Sequence, residues 1–195
     1  KMNKKILLNV LEYNEDLKKL SSSFSCGNFY IDNFLKSNES LESDICKTFV
    51  MVQSEMENEQ TTDKLVGFYS ISADSVYSLD DTSSGNKIIY DGGAVRIHMF
   101  AIDESFQHKT LKIGEEKKTY ASVLLLDCFE QINHIVNNHI GATYIILYAT
   151  NLGYGLYKNV GNFEELTDAD DIYLSTIEGS EECIPMYKYI KDDYI

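Results

Sequence analysis

Thr119-Tyr120-Ala121-Ser122-Val123-Leu124-Leu125-Leu126-Asp127-Cys128-Phe129-Glu130-Gln131-Ile132-Asn133-His134-Ile135-Val136, followed past Gly141 by Thr143-Tyr144-Ile145-Ile146-Leu147-Tyr148-Ala149, is the stretch that decides the fold. Tyr120, Leu124, Cys128, Ile132 and Ile135 recur at steps of three or four residues, with Val123 beside them. That single apolar stripe predicts an amphipathic helix from Thr119 to near Val136. Gly141 fits the stop, and Thr143–Ala149 is an uninterrupted apolar run of the kind buried on both faces in a parallel sheet. Upstream, Ala94-Val95-Arg96-Ile97-His98-Met99-Phe100-Ala101-Ile102 reads as a strand within Gly93–Asp103. Strand, helix and buried strand make one βαβ crossover.

Working outward, the short apolar run Ile6–Leu11 is followed by Asn28, a helix cap ahead of Phe29, Tyr30, Asn33, Phe34 and Leu35 at helical spacing. Lys47–Gln53 and Lys64–Ser72 have strand character, and the polar Ser54–Asp63 between them reads as the loop of a hairpin. Ser78–Asn86 reads as a loop, and Phe106–Lys118 as a polar, glycine-punctuated connection. A short helix about Leu152–Asn159 ends near Gly161, and Ile184–Ile190, which holds the only proline, reads as a final edge strand. The order β, α, β-hairpin, β, α, β, α, β predicts a mixed α/β domain, with residues 1–195 expected as a single domain.

With 195 residues the chain can bury roughly 70% of its unfolded surface. Its composition, 44% hydrophobic and 25% charged with one proline, excludes collagen-like and disordered classes. The net charge is −14, and Arg96 is the only arginine. Such a surface repels phosphate backbones and anionic membranes, so a cationic or amine-bearing partner is expected and general nucleic-acid binding is not. Cys26, Cys46, Cys128 and Cys183 lack the spacing of a zinc site or a redox pair. Asn9 and Glu12 interrupt the only run resembling an export signal, no stretch reaches membrane-spanning length, and Lys1 ahead of Met2 reads as a cloning remnant. A cytoplasmic location is the expectation.

One local exception stands against the acidic average. Between Lys109 and Lys118 there are four lysines (Lys109, Lys112, Lys117, Lys118) and two glutamates, directly before a helix start. A basic island at that position suits a phosphate-bearing ligand, although four solvated lysines would equally serve solubility.

The element order and three local segments resemble the GNAT acetyltransferase superfamily, and within it the toxin-type branch. Phe24-Ser25-Cys26-Gly27 with Ile31-Asp32-Asn33-Phe34-Leu35 is similar to that branch's early Phe-x-Cys-Gly segment and helix. Leu65-Val66-Gly67-Phe68-Tyr69-Ser70 is similar to its Gly-Phe/Tyr-x-Ser sheet segment. Ala149-Thr150-Asn151 and Leu156-Tyr157-Lys158-Asn159-Val160-Gly161-Asn162-Phe163 resemble its C-terminal motifs, with Asn162 added between Gly and Phe. The resemblance implies a mostly antiparallel sheet flanked by helices with one central βαβ crossover, acetyl-CoA as co-substrate, and acetyl transfer to an amine.

It also implies site residues. The family's glycine-rich phosphate turn aligns with Glu116-Lys117-Lys118-Thr119-Tyr120-Ala121, where only Ala121 matches, with Gln107 separated from the turn by an inserted segment. Lys117, Lys118 and the amides of Thr119, Tyr120, Ala121 and Ser122 would then hold the pyrophosphate. Main-chain groups of Phe100, Ala101 and Ile102 would bond the pantetheine arm as an added strand. Tyr157 would protonate the departing thiolate, although a tyrosine there also serves packing. Asn151 would cap the short helix or touch the cofactor. Asp103, Glu104 and His98 are carboxylates and an imidazole near the strand end, with no base assigned among them.

Glu164–Ile195 carries ten acidic residues against Lys188 and Lys191, which would attract an amine-rich small molecule, a polyamine or a protein lysine. Two alternatives stand beside that acetyltransferase reading: a catalytically silent GNAT-fold binding module, suggested by the degenerate turn, and a toxin-type aminoacyl-tRNA acetyltransferase with an antitoxin-like partner. A homodimer is compatible with each.

Overall fold

The computed structural model describes residues 5–42, 44–57, 60–80, 87–167, 172–174 and 182–193. In chain order the strands and helices are β1 (Lys5–Glu12), α1 (Glu15–Ser21), α2 (Phe29–Lys36), β2 (Lys47–Glu57), β3 (Gln60–Asp80), β4 (Lys87–Ile102), β5 (Thr110–Ile113), β6 (Glu116–Thr119), α3 (Tyr120–Asn138), β7 (Tyr144–Ala149), α4 (Asn151–Asn159), β8 (Glu164–Glu165), β9 (Ile172–Leu174) and β10 (Ile184–Tyr189). The chain divides into two compact units, Lys1–Ile71 with Met99–Cys128 and Ser72–His98 with Phe129–Ile195. No helix among the described residues is long and apolar enough to cross a membrane.

In the first unit the strand order is β1-β2-β3-β4, with β1 and β3 each antiparallel to β2. Register slips between Met51 and Val52, leaving Val66 as the extra residue of a bulge on β3. Phe24, Phe34, Leu35, Val50 and Phe68 form the buried centre, where Phe68 meets Phe24 edge-on at 5.5 Å and stacks on Phe34 at 6.2 Å. Asn28 caps α2 as expected, accepting the N–H groups of Tyr30 and Ile31. Helix α1 is an element the sequence reading did not separate. Asn14 caps it by accepting Leu17 N–H, acidic residues open it and lysines close it, so local charge supports a helix too short to reveal a stripe.

In the second unit the order is β3-β4-β7-β10-β8, with β9 paired to β3. β4 and β7 run parallel through Ala94↔Tyr144, Val95↔Ile145 and Arg96↔Ile146, the pairing expected of the crossover through α3. Val76, Ala94, Tyr144, Ile146 and Tyr187 fill its core.

Several boundaries differ from the sequence reading. The segment 54–63 is not a loop, because β2 and β3 continue through it in register from Ser54↔Asp63 to Glu57↔Gln60. Its polar side chains suit an exposed ladder whose backbone is paired, and Ser54 Oγ donates to Asp63 at 2.6 Å. β3 and β4 likewise extend to Asp80 and back to Lys87, and the rest of the expected loop, residues 81–86, lies outside the described residues. The segment 106–118 is not irregular but carries the β5–β6 hairpin, turned at Gly114–Glu115 with only Gly114 at positive φ, the glycine-first pattern of a II′ turn. β10 is not an edge strand, since β8 covers it at Met186↔Glu165 and Tyr187↔Glu164. Pro185 is accommodated because its carbonyl still accepts Leu166 N–H.

Candidate functional site

The end of β4 is the first component. Asp103 N–H donates to the Val66 carbonyl on β3 at 2.9 Å. An ideal Cβ on Gly67 would lie 2.6 Å from the Ala101 carbonyl oxygen, so Ala101 also turns its main chain toward β3. Main-chain polar groups alternate sides along a strand, which leaves those of Phe100 and Ile102 on the opposite edge. β4 continues to Ile102 beyond its last pair with β7, at Arg96. Of the three residues expected to bond a strand-like ligand, Phe100 and Ile102 therefore present main-chain groups to that edge and Ala101 does not. The Ile102 carbonyl already accepts Gln107 Nε2 at 2.9 Å.

Gln107 is a latch. Its Nε2 also donates to the Cys26 carbonyl at 3.0 Å, joining the Phe24–Gly27 segment to the β4 terminus. Asp103 and Glu104 belong to the same latch: Asp103 accepts Ser25 N–H at 3.1 Å and Ser105 N–H at 2.9 Å, and Glu104 accepts Ser25 Oγ–H at 3.1 Å. Gly27, at φ +87°, lets the chain turn beside the Glu104 carboxylate. Burial foremost, with Asp32 next, pushes the Cys26 thiol up to about 12, so it is no nucleophile at neutral pH.

The start of α3 is the second component. Thr119 ends β6 and caps the helix: its Oγ1 accepts Ser122 N–H at 3.1 Å, and Ser122 Oγ donates back to the Thr119 carbonyl at 2.9 Å. The Ser122 amide is thus engaged, whereas Tyr120 and Ala121, as the first two helical residues, have N–H groups with no carbonyl partner inside the helix. The Tyr120 hydroxyl donates to Gln53 Oε1 at 2.9 Å and its ring meets Phe106 edge-on at 5.1 Å. The expected lysines part company: Lys118 pairs with Glu116 at 3.3 Å, while Lys117 stands opposite Lys112, a residue the sequence reading left out of the site. The available signal was Gly114, first residue of a two-residue turn.

In the second unit Thr150, not Asn151, caps α4. Its backbone is extended and its Oγ1 accepts Gly153 N–H at 3.3 Å, which places Asn151 one residue inside the helix with an exposed side chain. Tyr157 is buried on α4, its ring edge-on to Phe163 at 5.9 Å. The added Asn162 is in the left-handed region, at φ +55°, just past the end of α4, where Phe163 N–H returns to the Tyr157 carbonyl at 3.1 Å. Glu164 and Glu165 accept hydroxyl hydrogens from Tyr187 and Tyr154. Lys188 is buried over the Phe129 ring at 4.6 Å. Glu165 and Lys188 are thus held in structural contacts, while Glu164 remains exposed. Asp168, Asp170, Asp171, Glu178 and Glu181 lie outside the described residues. His98 is half-buried in β4, and Arg96 is buried with Asp74 and over Tyr148.

No protein-family model and no curated protein matches the sequence. Solved structures do match over nearly the whole chain. A structure of AtaTR bound with AcCoA aligns with TM-score 0.68 at 17% identity, covering 95% of each chain. A mutant AtaT toxin bound to the C-terminus of the antitoxin AtaR and acetyl-CoA aligns with TM-score 0.58 at 14% identity, covering 95% of this chain and 94% of that one. AtaT complexed with acetyl-methionyl-tRNAfMet aligns with TM-score 0.62 at 15% identity, covering 95% and 96%. The chain has the GNAT fold. The β5–β6 hairpin lies between Gln107 and the start of α3, where the resemblance implies an inserted segment.

Proposed function

We propose that this protein is an acetyl-CoA-dependent N-acetyltransferase, acting as a single functional domain and transferring an acetyl group to a primary amine by direct attack. The observation that carries the reading is the whole-chain likeness to a structure bound with AcCoA. The residues present fit such a co-substrate: the edge of β4 at Phe100 and Ile102 suits an amide-bearing arm, and the Tyr120 and Ala121 amides with nearby lysine suit phosphates. Acetyl-CoA supplies a thioester carbonyl. The amine nitrogen forms the new C–N bond, the C–S bond breaks, the amine proton passes to solvent, and the thiolate takes a proton from Tyr157, which solvent then reprotonates. A phenol, with an ordinary pKa of ~10, is protonated at neutral pH and able to donate. The raised Cys26 thiol argues against an acetyl-cysteine intermediate and for direct attack.

An aminoacyl-tRNA as the amine is the second reading, supported by the likeness to AtaT complexed with acetyl-methionyl-tRNAfMet. An antitoxin-like partner goes with it, supported by the likeness to the toxin bound to antitoxin AtaR. A small amine, polyamine or protein lysine remains the first choice of acceptor because the chain carries −14.

The test is calorimetric titration with acetyl-CoA, followed by thiol release on a panel of polyamine, lysine peptide and aminoacyl-tRNA. Tyr157→Phe keeps the ring against Phe163, so affinity for acetyl-CoA should hold while turnover drops about 10²-fold or more. Binding without release on any amine would favour the silent binding module, and no binding at all would sink the enzyme reading.

A further inference from the structure

The β5–β6 hairpin sorts the lysines of the basic island. Directly opposite residues of an antiparallel pair share a face, and successive residues alternate faces. The register Thr110↔Thr119, Leu111↔Lys118, Lys112↔Lys117 and Ile113↔Glu116 therefore gathers Lys112, Lys117, Thr110 and Thr119 on one face. The other face holds Leu111 and Ile113 with the Lys118–Glu116 ion pair. Lys109 lies over the Phe106 ring at 5.8 Å. Lys112 and Lys117 are both exposed, and among the described residues no carboxylate is ion-paired with either. Like charges directly opposite on a strand pair repel, so this arrangement is unfavourable without an anion between the two ammonium groups. Thr119, on the same face, is the cap of α3, so the lysine face leads directly to the helix start.

We propose that Lys112 and Lys117 form a two-pronged clamp for the phosphate esters of the nucleotide half of the acyl carrier, supplying by side chain what the missing turn glycine would supply by close backbone approach. This rests on the acetyltransferase reading, and it replaces Lys118 with Lys112 in the site. Each ammonium donates to phosphate oxygens, and the two-residue turn holds the prongs side by side.

The probe is adenosine 3′,5′-bisphosphate, titrated calorimetrically in parallel with acetyl-CoA. Lys112→Ala/Lys117→Ala should bind both roughly tenfold more weakly at low salt, with the gap closing as salt rises. Lys112→Arg/Lys117→Arg should restore most of the loss. Lys36→Ala/Lys158→Ala, which removes the same charge elsewhere, should change affinity by less than about twofold. Unchanged bisphosphate binding in the alanine pair overturns the clamp, while acetyl-CoA binding and turnover in the parent would leave the acetyltransferase reading standing. Lysine-dependent bisphosphate binding in a protein that transfers no acetyl group supports the clamp and removes the reading. Lysine-dependent binding of an RNA duplex with none of the bisphosphate, or no binding of either, overturns the assignment.

Discussion

Gly67 has one physical reason to be glycine. A Cβ there would lie 2.6 Å from both the Ala101 carbonyl oxygen and Ile102 Cδ1, in a region where Val66 and Phe68 are wholly buried. The backbone oxygen cannot be displaced as a flexible side chain could. Gly67→Ala should cost about 1–3 kcal/mol through overpacking, read as a lower urea midpoint with unchanged slope. It should also shift the β4 edge that presents Phe100 and Ile102, so acetyl-CoA affinity should fall with it. Residue identity made Tyr157 and Gly67 visible in the sequence because each sits in a recognisable segment. The roles of Gln107 and Thr150 were not visible, since a latch and a cap depend on which carbonyl or amide lies within reach, and Asn151 was as good a cap by composition.

At the scale of elements, α3 and β7 were readable because a helix stripe of period near 3.6 and an unbroken apolar run are signals of burial on known faces. The β5–β6 hairpin was not, because neither of its faces is buried enough to impose alternation. Its coupling to α3 goes through Thr119, which belongs to the strand by backbone and to the helix by its hydroxyl. Thr119→Ala should destabilise by about 1 kcal/mol, the ordinary cost of losing a cap, with amide exchange in the first turn of α3 accelerated most. Exchange that stays unchanged at Ser122 would show that the cap contributes nothing there.

For the whole molecule, the buried acid groups set an alkaline limit. Burial raises the thiols of Cys46 and Cys128 above their ordinary 9.0 and the phenols of Tyr13, Tyr120 and Tyr144 above 10.0, with Asp91 adding to the effect at Tyr144. The unfolded chain therefore releases these protons first as pH rises. The stability they contribute is complete below pH 9 and is lost as pH climbs through the folded-state values. Urea midpoints measured on either side of pH 9 should fall on the alkaline side, and a flat profile would mean that these groups are solvated in the folded protein. The net charge of −14 adds self-repulsion, which salt relieves at every pH.

By itself the sequence determined what depends on periodicity and composition: the βαβ crossover, the helix capped by Asn28, the acidic balance and the position of the basic island. Tertiary structure alone decided which groups oppose one another. Strand register put Lys112 rather than Lys118 across from Lys117, and pairing with β3 left alternate main-chain groups of β4 at its other edge. It also gave Glu164 and Glu165 tyrosine hydroxyl partners. Periodicity is a local property of the chain and survives in one dimension. A cross-strand neighbour is fixed by pairing between distant segments, and changing the register by one residue exchanges every face.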